Sequence, residues 1–265
     1  MTAFKLNIEK MVLTERHREG HVAVVKINRP EVKNALNSVA LSALRAALEE
    51  LAGDADVRVV VLAGEGGTFT TGDDLAETAD MDEKTFLAMI EGFQSITRTL
   101  RSLPQPVVAA VAGWAVGGGL EIAANCDIRV VGDRTRFFCP EVSFGLLMSN
   151  ASSLLLPRLV GSGNARLLMF SGRRFDAVWA ERVGFAQLVV PESEVVDAAI
   201  GLAGEIATAN PGALRASKTL FNLADDDEVE AALTAETDAA LTAFRNPNVA
   251  AGLRAELERW LARRR

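Results

Sequence analysis

Residues 105–130 read QPVVAAVAGWAVGGGLEIAANCDIRV. The apolar run Val107 to Leu120 is bounded by Pro106 and Glu121. A run of that length is a core segment rather than a membrane span. Val107–Val111 predicts a buried strand and Ile128–Val131 another, with a helical stretch between them. Gly117, Gly118 and Gly119 stand at the entry to that helix, and Glu121 follows on its first turn. Glycine weakens strands and helices alike, so three in a row need a compensating reason.

Working outward, strands and helices alternate. Val12–Arg16 and Val22–Ile27 predict two strands around a turn at Arg18-Glu19-Gly20. Asn37 or Ser38 caps a helix carrying Leu41, Leu44, Leu48 and Leu51 at helical spacing. Val57–Ala63 predicts a short buried strand, followed by a flexible loop at Gly64–Gly67. Asp82 opens a long helix reaching Leu103, and Gln187–Val190 is a last short strand. From Ser149 onward helices dominate, at about 150–160, 163–171, 176–183, 193–209, 212–223 and 226–244, and from Val249 onward. This pattern implies an α/β core with parallel pairing and a C-terminal helical region.

Composition excludes several functions. The chain has 265 residues and a net charge of −7, so bulk charge recruits neither nucleic acid nor an anionic membrane. Arg263-Arg264-Arg265 is too short for a basic arm and reads as cations at a helix C-terminus. Residues 1–10, MTAFKLNIEK, lack the apolar core of a signal peptide. Cys126 and Cys139, the two cysteines, sit in apolar surroundings and read as small buried hydrophobes. The expectation is a reduced, cytoplasmic, soluble protein. With no tyrosine and only two histidines, acid–base chemistry must lean on carboxylates. His17 and His21 flank the first turn and read as surface residues. Asp225-Asp226-Asp227 reads as a helix N-terminus rather than a metal site.

The glycine triplet fails the nucleotide tests. A dinucleotide fingerprint counted from Gly117 would need glycine at position 122, which is isoleucine, and no Gly-Lys-Ser/Thr phosphate loop occurs. Gly-x-Ser-x-Gly is absent too. What remains is a helix N-terminus whose N–H groups lack intrahelical partners. Two readings stand for it: close helix–strand packing, or donors aimed at an oxyanion. A second segment, TFTTGDDL at 68–75, also follows a buried strand. It supplies a separate segment from which a second donor can come.

These segments resemble the crotonase family, the enoyl-CoA hydratases and isomerases. Asn28-Arg29-Pro30 with Asn34-Ala35-Leu36, then TFTTGDDL, residues 105–130, FFCPEVSFGL at 137–146 and PRLVG at 157–161 run in family order. The resemblance implies a spiral of ββα turns forming two sheets, with the acyl-CoA site in residues 1–195. Residues 196–265 would form a helical region for oligomerisation and CoA covering, in a homotrimer or hexamer. It also implies an acyl-CoA thioester substrate, with no metal and no separate cofactor, coenzyme A being part of the substrate.

Residue by residue, the resemblance implies an oxyanion hole from the backbone N–H groups of Asp73, where alanine is more usual, and Gly118. Donors so placed favour the transition state as charge reaches the thioester oxygen. The Asp73 carboxylate would be unhelpful there unless it points away. Glu121 and Glu141 match the two hydratase glutamates. Lys33, Ala35, Asp74, Leu75 and Gly117 are implied substrate-binding positions. Near the C-terminus, Glu256 and Arg259 stand where hydratases place a phenylalanine and a lysine, so a cation is retained and an aromatic lost. One segment departs from the pattern. Where hydratases read Gly-x-x-Pro-Gly-x-Gly-Gly, this chain reads Gly145-Leu146-Leu147-Met148-Ser149-Asn150-Ala151-Ser152. Ser149 stands where a glycine backbone often helps hold water, and Leu147 and Met148 make that wall more apolar. Hydration through both glutamates is the leading expectation, within a β-oxidation type of fatty acid metabolism. Double-bond isomerisation by Glu141 alone, or acyl-CoA binding without catalysis, remain alternatives.

Overall fold

The structure, a computed structural model, describes residues 11–262. The N-terminal decapeptide and the three closing arginines lie outside the described residues. β1 (Val12–His17) and β2 (Val22–Ile27) form the expected antiparallel hairpin. β3 (Val59–Gly64), β4 (Val107–Val111), β6 (Ile128–Gly132) and β9 (Leu188–Val190) then add in parallel, giving one sheet ordered β1-β2-β3-β4-β6-β9. β4 is buried along its whole length. That is the pattern of a central parallel strand covered on both faces, and it explains the unbroken apolar run.

The two faces have separate cores. Val25, Ile27, Val60, Leu62, Ala109 and Val111 point toward the helices α1 (Ser38–Ala52) and α3 (Glu83–Ser102). Val22, Val24, Val59, Val61, Val108 and Ala110 point the other way, as strand alternation requires. That second face is covered by α8 (Val195–Ala207), through Val195, Ala199, Ile200 and Ala203. Asn37, rather than Ser38, caps α1 by accepting from Ala40 N at 2.9 Å. Asp82 and Thr85 form a reciprocal capping box on α3.

A second sheet of three short strands was not legible in the sequence. β5 (Trp114–Val116) pairs in parallel with β7 (Arg136–Phe138), which pairs antiparallel with β8 (Phe175–Asp176). Strands of two or three residues show no measurable period. An isolated bridge, Thr70 with Ala115, ties the Phe69–Gly72 loop to β5. α4 (Gly118–Asn125) starts directly from the end of this sheet.

The C-terminal helices reach back into the body. Lys218, in α9 (Pro211–Leu223), is buried, with Nζ 2.8 Å from Asp127 Oδ2 and 3.0 Å from the Gln105 carbonyl. Arg101 pairs with Asp225 and Asp226 at the start of α10 (Asp226–Phe244). Those acids serve a helix N-terminus, and no group of three metal-ligating side chains occurs among the described residues. No described helix is long and apolar enough to cross a membrane. Both cysteines are buried and free. Burial pushes the Cys126 thiol up to about 12, so it stays protonated and unreactive. His17 and His21 bond to Glu15 and to the Asp56 carbonyl beside the first turn.

Lys218→Met is expected to destabilise the protein by about 1–3 kcal/mol. That is below the loss for a fully enclosed pair, because Asp127 keeps some solvent contact. Urea unfolding should show a lower midpoint at unchanged m-value.

Candidate active site

The site is built where two glycine segments touch. Gly72 has φ +73°, and a Cβ there would lie 2.5 Å from the Val116 carbonyl and 2.9 Å from Gly118 N. A Cβ on Gly119 would lie 2.5 Å from the Thr70 carbonyl, and one on Gly118 would lie 2.7 Å from Phe93. Gly117, at φ +49°, has no room either, because its Cβ would collide with Glu141 Oε1. The triplet is therefore dictated by close contact at all three positions, with the Glu141 side chain, the Phe93 ring and the Thr70 backbone.

The loop that carries Gly72 is held from beneath. Asn34, fully buried, donates to the Thr68 carbonyl at 2.6 Å and the Glu65 carbonyl at 2.9 Å. Thr70 Oγ1 donates to the Asn34 carbonyl at 2.6 Å and accepts from Gly72 N at 3.1 Å. Arg29 donates to the Ala35 carbonyl and pairs with Asp74 at 2.8 Å. The Asn-Arg-Pro and Asn-Ala-Leu segments thus work as the loop's scaffold. Leu36 N binds the Gly72 carbonyl and Asp74 N binds the Leu36 carbonyl. The N–H of Asp73 falls between these two and meets no acceptor among the described residues, and neither does that of Gly118.

Beside these donors lies a cavity of about 490 Å³. Lys33, Ala35, Asp73, Asp74, Leu75, Gly117 and Glu141 contribute to its walls, with Trp114, Phe138, Arg174 and Glu256. Gly118, Glu121 and Ser149 do not form part of that wall. Arg259 is not brought to the cavity: its exposed guanidinium pairs with Glu256, 2.7 Å away. The Asp73 carboxyl does not point away from the site. It is half-buried on the cavity wall and is pushed up to about 6 by burial.

The two glutamates have unlike surroundings. Glu141 follows Pro140 into a short 3-10 turn and is buried. Its Oε2 has no hydrogen-bond partner, and burial raises its carboxyl to about 8, with Asp73 adding to the rise. A carboxyl with a bare oxygen in such a place favours the protonated form. Glu121 is also pushed well up by burial, and the charges of Glu141 and Glu236 add to this. Donors oppose the rise. Ser149 N lies 3.1 Å from Oε1, Ser149 Oγ 3.1 Å from Oε2, and Asn150 Nδ2 2.7 Å from Oε2. Both oxygens of Glu121 are thus met by protein donors, which ease its ionised form, whereas Oε2 of Glu141 has none.

Three features escaped the sequence reading. The Arg174 guanidinium lies 5.4 Å from the Trp114 ring centre and 5.5 Å from that of Phe138, and Lys33 Nζ lies 5.7 Å from the Trp114 ring centre. This makes a cationic rim backed by aromatic faces. Asn150 and Glu236 also join the site's polar network. Nothing periodic marks any of them. The one available signal was the departure from the usual pattern at 147–152.

A single α/β body with two free backbone donors and two buried carboxyls on neighbouring segments is the arrangement of an acyl-transfer or enolate-handling protein. Comparison with known proteins makes the class specific. The family model described as enoyl-CoA hydratase/isomerase matches residues 17–262. The short-chain-enoyl-CoA hydratase of Clostridium acetobutylicum is 38% identical over 229 residues, covering 84% of this chain and 85% of that protein. The crotonyl-CoA hydratase of Syntrophomonas wolfei is 32% identical over 246 residues, covering 91% and 94%. A crystal structure of an enoyl-CoA hydratase/isomerase from Pseudoalteromonas atlantica superposes with a TM-score of 0.85 at 31% identity, over 94% of this chain and 98% of that one. The chain belongs to the enoyl-CoA hydratase/isomerase family and has the crotonase fold.

The raised Glu141 carboxyl carries a stability consequence. Between the ordinary 4.5 and about 8 the native state holds more protons than the unfolded chain. This contribution is therefore full below 4.5 and is lost as pH rises through about 8. Glu141→Gln should gain on the wild type as pH rises from 5 to 9. Calorimetry should show a Tm difference that widens with pH, at roughly 2–4 °C per kcal/mol.

Proposed function

We propose that this protein hydrates a 2-enoyl-CoA thioester at the cavity beside Gly118 and Asp73. The observation that carries the reading is the unlike pair: Glu121 with donors on both oxygens, and Glu141 with one oxygen bare. In this reading Glu121 takes a proton from water as the water oxygen bonds to C3. The C2–C3 π electrons move toward the thioester, and the resulting enolate oxygen is met by the N–H groups of Asp73 and Gly118. Glu141 delivers its proton to C2, and the enolate electrons return to form the C–H bond. The product is a 3-hydroxyacyl thioester. The two glutamates have then exchanged ionisation states and reset through solvent.

Coenzyme A enters as part of the substrate, with no separate cofactor and no metal. The rim of Lys33 and Arg174 suits its phosphates, and Ala35, Leu75 and Gly117 line the passage. Asp74 lends its position rather than its charge, because Arg29 neutralises it. Arg259 could serve only from another subunit or after moving. A homotrimer or hexamer fits the exposed Phe170, Val178, Leu220 and Phe221, which one chain leaves in water. The soluble, cytoplasmic setting and a role in fatty acid β-oxidation belong to the same proposal.

A second reading has an observation of its own. Glu141 reaches the cavity while Glu121 stays behind its wall, which suits isomerisation of a 3-enoyl-CoA by Glu141 carrying a proton between C4 and C2. The two separate in one assay set with 2-enoyl-CoA and 3-enoyl-CoA substrates. Hydration predicts that Glu121→Gln and Glu141→Gln each slow water addition by roughly 10²–10⁴-fold. Full activity of Glu121→Gln, with loss only in Glu141→Gln, would establish the isomerase instead.

Asp73→Ala retains the backbone donor, so hydration should persist. It removes the charge that helps to hold Glu141 up. The basic limb of kcat/KM, set by loss of the Glu141 proton near 8, should therefore move to lower pH.

A further inference from the structure

The turn that carries Ser149 and Asn150 has a strained backbone. Asn150 and Ala151 are both left-handed, at φ 63° and 58°. Asparagine tolerates that region, whereas alanine pays for its Cβ. Such strain persists only where the surroundings over-determine it, and here they do. Glu236, buried on α10, accepts the N–H of Ala151 at 2.8 Å and of Ser153 at 2.7 Å. Asn125 Nδ2 donates to the Asn150 carbonyl at 3.0 Å. The Ala151 methyl packs with Val229 and Leu233. None of these groups forms part of the cavity wall.

What the turn projects is the Asn150 side chain, which is fully buried. Nδ2 lies 2.7 Å from Glu121 Oε2, and Oδ1 accepts from Thr97 Oγ1 at 3.4 Å. With Glu121 ionised as the proton acceptor, the reversed amide would set a carbonyl oxygen against a carboxylate, so that state fixes the amide's orientation. Asn150 therefore has one acceptor to serve and one direction in which to serve it.

We propose that Asn150 is a positioning residue that holds Glu121 in a single orientation as the proton acceptor, with Glu236 anchoring the turn from which it projects. The proposal rests on the hydratase reading and deepens it. Asn150 acts through Glu121 and lies outside the cavity wall. Burial opposes the ionisation of Glu121 most, Glu141 and Glu236 oppose it by charge, and Ser149 and Asn150 favour it by donation. The Cys139 thiol, itself pushed up by burial, stays neutral beside them.

Two variants test this. Asn150→Gly keeps a left-handed backbone and deletes the donor. Asn150→Asp keeps the shape and turns the donor into an acceptor. Each is read by kcat and KM on a short 2-enoyl-CoA across pH. Each is also read by infrared difference titration of the Glu121 carboxyl, identified by the band missing in Glu121→Gln. The titration needs no turnover, and either variant alone suffices should the other not fold. The expected result is a kcat lowered roughly 10–100-fold with KM unchanged. The acidic limb and the infrared midpoint should both move to higher pH, further in the aspartate variant. An unmoved midpoint, or a raised KM at full kcat, overturns the proposal. A midpoint that moves in a protein without hydratase activity supports the positioning role and overturns the hydratase reading instead.

Discussion

Two peptide N–H groups from distant parts of a chain can converge on one point only where the backbones touch without side chains between them. Gly72 against Gly118 and Gly119 is that contact, and much of the structure serves to hold it. Asn34 and Thr70 pin the Gly72 loop from below. β4 and β5 deliver the triplet, and Phe93, from the long helix α3, closes off the far side of Gly118. The core is thus more than ballast. Its helix–sheet packing decides whether Asp73 and Gly118 present their donors together. Rigidity of this kind is what gives an oxyanion site its advantage, since donors that need not reorganise lose nothing as charge develops.

The same burial that fixes the donors makes carboxyls expensive. Glu121, Glu141 and Glu236 are all nearly inaccessible, and all three are pushed up by desolvation. Among the described residues no lysine or arginine pairs with any of them, and the relief shown comes from hydrogen bonds. Relief is given unequally. Glu236 receives two backbone donors and Glu121 three donor groups from Ser149 and Asn150, whereas Glu141 keeps a bare oxygen. An unequal supply of donors is a way to set two carboxyls to different protonation states without a cation. The accompanying loss of stability is the usual accompaniment of a functional site.

Much of this was legible beforehand, for identifiable reasons. The long strands and capped helices carry clear periods, so β4, α1 and α3 fell where pattern placed them. The glycine segments were legible because backbone contact admits few residue types, whereas Glu141 stood out only through the resemblance of FFCPEVSFGL to its family. The second sheet was not, because β5, β7 and β8 are too short to show alternation. Arg174 was missed because its role depends on Trp114 and Phe138, which are distant in sequence and meet it only in the fold. Asp73 shows a different limit. Its backbone position was readable from the motif, but the direction of its carboxyl, toward the cavity, was not.

The departure at residues 147–152 changes meaning once its contacts are known. Glycines at 149, 151 and 152 would let the backbone turn freely, and the turn would rely on its neighbours for shape. Here Ser149, Ala151 and Ser152 stand in their place, and Asn150 and Ala151 accept left-handed geometry at a cost. The return is a donor that a glycine at 149 lacks, the Ser149 hydroxyl, which joins the Asn150 amide on Glu121 Oε2. That exchange explains why a buried carboxylate on the C-terminal helix α10 is tolerated. Glu236 satisfies the N–H groups of Ala151 and Ser153, and in doing so holds a strained turn that would otherwise relax. A segment that looked like a lost water-holding loop is, in contacts, a gained support for Glu121. It ties the helical C-terminal region to the chemistry of the core.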